Sequence, residues 1–350
     1  MFKPGRRRFV LAATGLGASL ALANWRPGAL TSAQDASKLK KFGRASHALG
    51  TKVSITVLHA EQQQAARALD AAFAAIEVVE AELSIYRPDS QLSQLNRLGR
   101  LKQPSPGLLA VLECAAETSR RSQGAFDITV QPLWEQFASA QQLGRLPSAE
   151  ETARAKLCVG WQRVQASAEE VLLLGQGTKL TLNGIAQGYA ADRARAALVQ
   201  HGIEHALIDT GELAALGAKP QASGWRVGVQ HPREPQAFIA LAKLKDRCLS
   251  TSGDYATTFS DDRRVHHVFD PATGTSPSEL ASVSIAAPTA MQADAWSTAA
   301  FVLGSRRANE ILSSLPDHDA LFVLKDGRTL ATPGFPLDEE LPLDEQGEQL

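Results

Sequence analysis

Asp294 and Thr298 stand four residues apart in the stretch 287–304, APTAMQADAWSTAAFVLG, near the start of a helical pattern. Residues at i and i+4 share a helix face, so a carboxylate and a hydroxyl there can converge on one point. Oxygen donors of that kind suit Mg2+, which keeps several waters and commonly bridges to phosphates. On the pair alone, Asp294 is equally natural as a helix-start acid favoured by the helix dipole. A second candidate is the stretch 182–192, LNGIAQGYAAD, where a glycine-bearing turn runs into a helix. Gly184 and Gly188 let backbone approach a ligand closely. The helix start adds unpaired N–H donors and a positive dipole end, the ingredients of a phosphate site, although a tight structural connection uses the same residues. Third, His266 and His267 precede the turn Asp270, Pro271, Ala272, Thr273, Gly274. A histidine of near-neutral pKa is the usual group to take a proton from a hydroxyl, and a packed turn histidine is the alternative. Two weaker signals complete the set. Asp127 sits beside Phe126 after a helix, as an aromatic-ligand contact or the start of a strand, and Ser250 to Asp254 form a turn of small polar residues suited to phosphates or sugars.

The elements that must position these groups follow from periodicity. Residues 46–58 read as a strand, with Val53, Ile55 and Val57 alternating. Residues 61–83 read as a long helix with Ala65, Leu69, Ala72, Phe73, Ile76, Val79 and Leu83 on one face, and 106–121 as another. A small meander is expected at 163–165, 171–174 and 179–182, leading into a helix at 187–201. Strands at 206–209, 214–217, 225–230, 238–244, 247–250 and 282–287 and a helix at 291–303 follow, without strict βαβ alternation. The class is therefore α+β.

The 350-residue chain opens with Arg6, Arg7, Arg8 and Phe9 and a short Gly/Ala-rich apolar run, a twin-arginine signal pattern over residues 1–33 that implies export to the periplasm. Its removal takes away Lys3, Arg6, Arg7, Arg8 and Arg26, five of 36 basic residues, against 37 acidic ones, so the mature chain is mildly acidic. No basic stripe argues for nucleic acid, and no later apolar run is long enough to span a membrane. Cys114, Cys158 and Cys248 offer neither a disulfide framework nor a zinc pattern and read as buried or half-buried thiols. Residues 34–45 read as a linker, and residues 336–350 as an acidic disordered tail.

Taken together and in order, Gly50–Thr51, YRPDS from Tyr86, AFD from Ala125, GIAQGYAADRA from Gly184, STSGDY from Ser250, HHVFDPATG from His266 and APTAMQADAWSTAAFVLG from Ala287 resemble the ApbE family of flavin transferases. These attach FMN from FAD to a protein threonine. The resemblance implies one ApbE-like domain of two joined lobes over residues 46–335, with FAD as substrate. It implies Mg2+ held by the Gly184 carbonyl, Asp294 and Thr298, with His267 as proton acceptor for the target threonine. Flavin contacts would come from Tyr86, Ala125, Phe126, Asp127, Gln187 and the backbone near Val268. LNGIAQGYAADR and LIDTGELAALG are most similar to the NosX branch, tied to nitrous oxide respiration, which implies a NosR-like membrane flavoprotein as acceptor. Three departures stand out: Leu49 where many relatives have Met, Gln187 where many have Lys, and Thr181 and Asn183 around Leu182 in place of the common Asp turn. The competing readings are a Mg2+-dependent FAD pyrophosphatase, with water as attacker, and a periplasmic FAD carrier without turnover.

Overall fold

In the computed structural model residues 38–338 are described, Gln221 excepted; the twin-arginine segment and the tail beyond Asp338 lie outside them. An eight-stranded antiparallel sheet runs in the order β1 (Lys40–Ala48), β2 (Thr51–His59), β6 (His205–Asp209), β7 (Leu213–Leu216), β10 (Cys248–Gly253), β11 (Leu280–Ala287), β12 (Asp319–Leu324) and β13 (Thr329–Ala331). A three-stranded sheet joins β3 (Arg100–Lys102), β5 (Glu170–Leu173) and β4 (Val164–Ala166), and β8 (Trp225–Gln230) pairs with β9 (Phe238–Leu244).

Both faces of the large sheet are covered, which is why β11 is buried at every residue. Val283, Ile285 and Ala287 face the helices, whereas Ala215, Leu249, Ala286 and Leu321 face Trp225, Val227, Val229 and Leu244 of the β8–β9 hairpin. On the helical side lie α1 (Gln62–Leu83), α2 (Gln91–Leu98), α3 (Pro106–Arg121), α6 (Ala186–Gln200) and α7 (Ala290–Leu312). The apolar face expected on α1 is the buried one, with Ala65, Leu69, Ala72, Ile76, Val79 and Leu83 inside. Phe73 stays partly buried at the edge, under the Arg44 guanidinium 4.5 Å from its ring centre. Two further helices, α4 (Gln131–Gln142) and α5 (Ala149–Lys156), escape the sequence reading.

Four expectations need correction. The strand read over 46–58 is a hairpin, because Leu49 and Gly50 both take positive φ (54° and 73°) and turn the chain. Its first strand begins at Lys40, inside the stretch read as linker. Residues 179–182 are not a strand: Asn96 accepts from Leu180 N (2.7 Å) and donates to Leu180 O (2.8 Å), and Thr181 N donates to Ile128 O (2.8 Å). Nor does the tail start at 336. Asp338 N donates to Leu241 O (2.8 Å), and the Asp338 carboxylate pairs with Arg226 and, at 3.2 Å, Lys243.

The N-terminal turns of α6 and α7 cross in close contact and cap each other. Asp192 on α6 accepts from Ala290 N and Met291 N of α7, both at 2.9 Å. Asp294 on α7 accepts from Gly188 N of α6 at 3.0 Å and from the Gln187 N–H. The start of α6 has no capping side chain of its own, so Asp294 supplies what Ile185 cannot. Gly188 makes the crossing possible, since a methyl there would be driven into the Ala290 carbonyl. Gly304 (φ 78°, ψ 167°) then breaks α7 at the point where the sequence pattern ends the helix, and a second helical run follows. Gly188→Ala is therefore expected to cost about 1–3 kcal/mol or more of stability, read as a lowered denaturation midpoint. Wild-type stability would contradict this contact.

Candidate active site

A single cleft, with about 1110 Å³ of free space out to its open mouth, gathers residues from six separated stretches. Ala125, Phe126 and Asp127 line it from the segment after α3. Gly184 and Gln187 come from the start of α6, His267 and Val268 from a loop after β10, and Asp294 and Thr298 from α7. Thus nine of the ten sequence-derived site residues meet there, and Tyr86 does not. It is 45% exposed, in a loop fixed by Ser90 Oγ donating to Ser84 O (2.6 Å), and it is hydrogen-bonded to Asn183, a lining residue. Leu49 is buried in the main core and is absent from the lining.

The segment 125–129 forms no strand and is held as a knot. Asp127 Oδ1 accepts from Thr129 N (2.7 Å) and Thr129 Oγ1 (2.6 Å), while Oδ2 accepts from Trp161 N (2.8 Å). Burial pushes its carboxyl up, and these three bonds oppose the rise. Both oxygens being engaged, Asp127 shapes the wall that presents Ala125 and Phe126.

The loop carrying the two histidines rests on a small aromatic cluster in which Phe137 of α4 packs 4.8 Å from Phe269 and 5.5 Å from Phe259. The two rings differ in role. His266 is fully buried, its Nε2 3.2 Å from Pro277 O and its ring edge against Phe301. Burial, followed by the neighbouring His267, lowers its pKa to about 4. His267 lines the cleft, with Nδ1 3.2 Å from Thr257 O. A carbonyl only accepts, so Nδ1 carries the proton and Nε2 is left as a proton acceptor. Burial lowers this pKa as well, keeping the ring neutral near pH 7.

At the cleft floor Asp294 (4% exposed) and Glu212 (8% exposed) are both buried. Burial raises both carboxyls well above the usual range, and for Glu212 the Asp294 charge adds to it. A methyl on Gly184 would lie 2.6 Å from Thr298 Oγ1, so the glycine turn and the hydroxyl are in close contact. Ser252 Oγ bridges Ser297 (2.7 Å) and Thr298 (3.4 Å). Among the described residues no group of three His, Cys, Asp or Glu side chains forms a metal cluster. A cation here would instead use two carboxylates, a hydroxyl and a backbone carbonyl. That all-oxygen set fits a hard divalent ion such as Mg2+, and not a soft one.

Sequence reasoning missed Glu212. It follows Thr210 and Gly211 in the β6–β7 turn, and an acid after Thr-Gly between two apolar strands was its only signal. Residues 250–253 lie on strand β10, not in a turn, and Thr251, Ser252 and Gly253 face the cleft from its end.

Residues 49–322 match the ApbE family. The chain belongs to the ApbE family. It is 32% identical over 279 residues to the FAD:protein FMN transferase of Salmonella typhimurium, covering 75% of this chain and 79% of that protein. To the FAD:protein FMN transferase of Treponema pallidum it is 30% identical over 322 residues, covering 85% and 88%. Among solved structures, the ApbE protein of Thermotoga maritima superposes with a TM-score of 0.75 at 29% identity, covering 84% of this chain and 97% of that one. The apo form of Pseudomonas stutzeri flavinyl transferase ApbE gives 0.74 at 28%, covering 85% and 96%. The α+β architecture is thus the ApbE fold, one domain of helices and antiparallel sheets.

The histidine geometry is testable by NMR of the imidazole nitrogens. His267 is expected as the Nδ1–H tautomer at pH 7, with a titration midpoint below 6.5, and His266 as the Nε2–H tautomer with a midpoint of about 4. A charged His267 at pH 7 would contradict the assignment of Nε2 as acceptor.

Proposed function

We propose that this chain is a Mg2+-dependent FAD:protein FMN transferase that moves FMN from FAD to a threonine hydroxyl of an acceptor flavoprotein and releases AMP. Family membership makes it a flavin transferase. The single observation that carries the finer reading is the convergence on one cleft of the His267 imidazole, with Nδ1 held by Thr257 O, and the oxygen-bearing side chains of Asp294 and Thr298 beside the Gly184 turn.

In this reading the diphosphate lies at the starts of α6 and α7, where the helix dipoles favour negative charge. Gln187 is 2% exposed and its Nε2 has no hydrogen-bond partner, so it is the donor available to a phosphate or flavin oxygen there. A divalent cation bound by Asp294, Thr298 and the Gly184 carbonyl would offset diphosphate charge and orient the leaving group. His267 Nε2 takes the proton from the acceptor hydroxyl. Its oxygen then forms a bond to the FMN phosphorus in line as the bond to the AMP oxygen breaks. His266, held by Pro277 and Phe301, takes no part.

The acceptor proposed is a NosR-like membrane flavoprotein, on the likeness of residues 182–193 and 207–217 to the NosX branch. The twin-arginine pattern supports a periplasmic site of action.

One gel separates the readings. Purified protein, FAD, Mg2+ and a NosR-like fragment should give a fluorescent acceptor band; free FMN alone would point to hydrolysis, and bound FAD alone to a carrier. His267→Ala should retain FAD binding and lose transfer by about 10²–10⁴-fold. Unchanged transfer would remove the base role. Asp294→Asn should lower Mg2+-dependent transfer by about 10–100-fold at fixed Mg2+. Transfer with the normal Mg2+ dependence in that variant would refute the cation assignment.

A further inference from the structure

The pair Glu212 and Asp294 has a property that the ligand set Gly184, Asp294 and Thr298 leaves unexplained. Two carboxylates from different elements, the β6–β7 turn and α7, are buried in the floor of the same cleft. Among the described residues neither has a lysine or arginine partner. Their contacts are neutral. Glu212 Oε2 accepts from Thr251 N at 3.3 Å, and the Ser250 hydroxyl donates to the same carboxylate. Asp294 is held by the Gly188 and Gln187 amides. Of the other buried acids, Asp254 is bidentate to Arg233 at 2.6 and 2.9 Å, with Lys325 at 3.6 Å, and Asp338 is paired with Arg226 and Lys243, whereas Asp127 stands alone with three neutral donors and the Arg163 charge nearby.

Burying two carboxylates in one cleft without a counter-charge costs several kcal/mol, and proteins meet that cost with a basic partner, a proton or a metal. The cleft carries an independent sign of a ligand. Gln187 Nε2 and Asn183 Oδ1, both buried and both on lining residues, also have no hydrogen-bond partner. One divalent ion is the species whose charge matches two carboxylates, and the hydroxyls of Ser252 and Thr298, 3.4 Å apart, add oxygen donors on the same side of the sheet.

We propose that Glu212 supplies the second negative charge of the cation site, so that Mg2+ is bound by this chain before any nucleotide arrives. The inference rests on the flavin-transferase reading only for the identity of the cation. Asp294 fixes the site to the crossing of α6 and α7, and Glu212 ties it to the β6–β7 turn on the central sheet. Cation binding therefore joins the helical layer to the sheet across the cleft floor.

The test is Mn2+ binding to the full chain without flavin or acceptor, read by electron paramagnetic resonance of free Mn2+. Wild type should bind one Mn2+. Glu212→Gln, which keeps the size of the side chain and the Thr251 contact, should weaken binding by about 10–100-fold. The rise in melting temperature on adding Mn2+ should shrink in parallel, while the metal-free variant melts no lower than metal-free wild type. Glu212→Ala should weaken Mn2+ binding equally, which separates charge from side-chain shape. Wild-type Mn2+ affinity in Glu212→Gln overturns the proposal, as does absence of Mn2+ binding by the wild-type chain. Unchanged Mn2+ affinity with weakened FAD affinity overturns it too, and would move Glu212 to nucleotide recognition. Because no flavin chemistry is read, Mn2+ binding lost in Glu212→Gln alongside a wild type that flavinylates nothing would leave this inference standing and sink the transferase reading.

Discussion

The crossing of two helix N-termini, each capped by a carboxylate from the other, is the constraint on which the rest of the site depends. Asp192 holds the first amides of α7 and Asp294 holds the first amides of α6. Hydrogen bonds to a charged group are worth about 1.5–3 kcal/mol each, so the crossing resists being pulled apart. It also brings two positive dipole ends together at one place. Each of those ends is already met by a carboxylate, which offsets the dipole where the two helices cross. That bears on Gln187. A lysine there would add a positive charge near the Asp294 carboxylate, whereas the buried Gln187 amide adds a hydrogen-bond donor and no charge.

The electrostatics of the cleft divide its titrating groups into two kinds. The histidines are kept neutral by burial, with carbonyl partners that choose the tautomer: Thr257 leaves His267 Nε2 open to a hydroxyl, and Pro277 engages Nε2 of His266. The carboxylates Asp294 and Glu212 are buried in one cleft and, among the described residues, have no basic partner, an arrangement that a divalent cation would stabilise. A neutral base and a bound cation in one cleft would together let a hydroxyl attack a phosphorus at neutral pH.

How far the sequence reveals this differs from element to element. The long amphipathic helix α1 was legible because one face of seven positions repeats at helical spacing. That the candidate residues of α6 and α7 line one cleft was legible because their motifs are short and contiguous. Leu49 misled, since a leucine at positive φ is disfavoured and nothing local marks it as a turn residue; its burial in the core offsets the strain. Residues 179–182 misled for the opposite reason. Their alternation suits a strand, but the partner that satisfies Leu180 is the Asn96 side chain, 84 residues away. The tail was read as disordered because it is acidic, yet Asp338 finds Arg226 and Lys243 on the β8–β9 hairpin, a pairing no local pattern reveals. Glu212 was missed because its meaning comes from Asp294, which only the fold brings near.

The central claim is that a protein hydroxyl, and not water, attacks the FMN phosphorus in this cleft. The most direct measurement is oxygen-isotope analysis of the products after turnover of FAD with Mg2+ and acceptor in 18O-enriched water. The expected result is acceptor-bound FMN and AMP that both carry no 18O, since the new bond uses the acceptor oxygen and the leaving oxygen stays with AMP. Free FMN bearing one 18O would contradict it and make the enzyme a hydrolase.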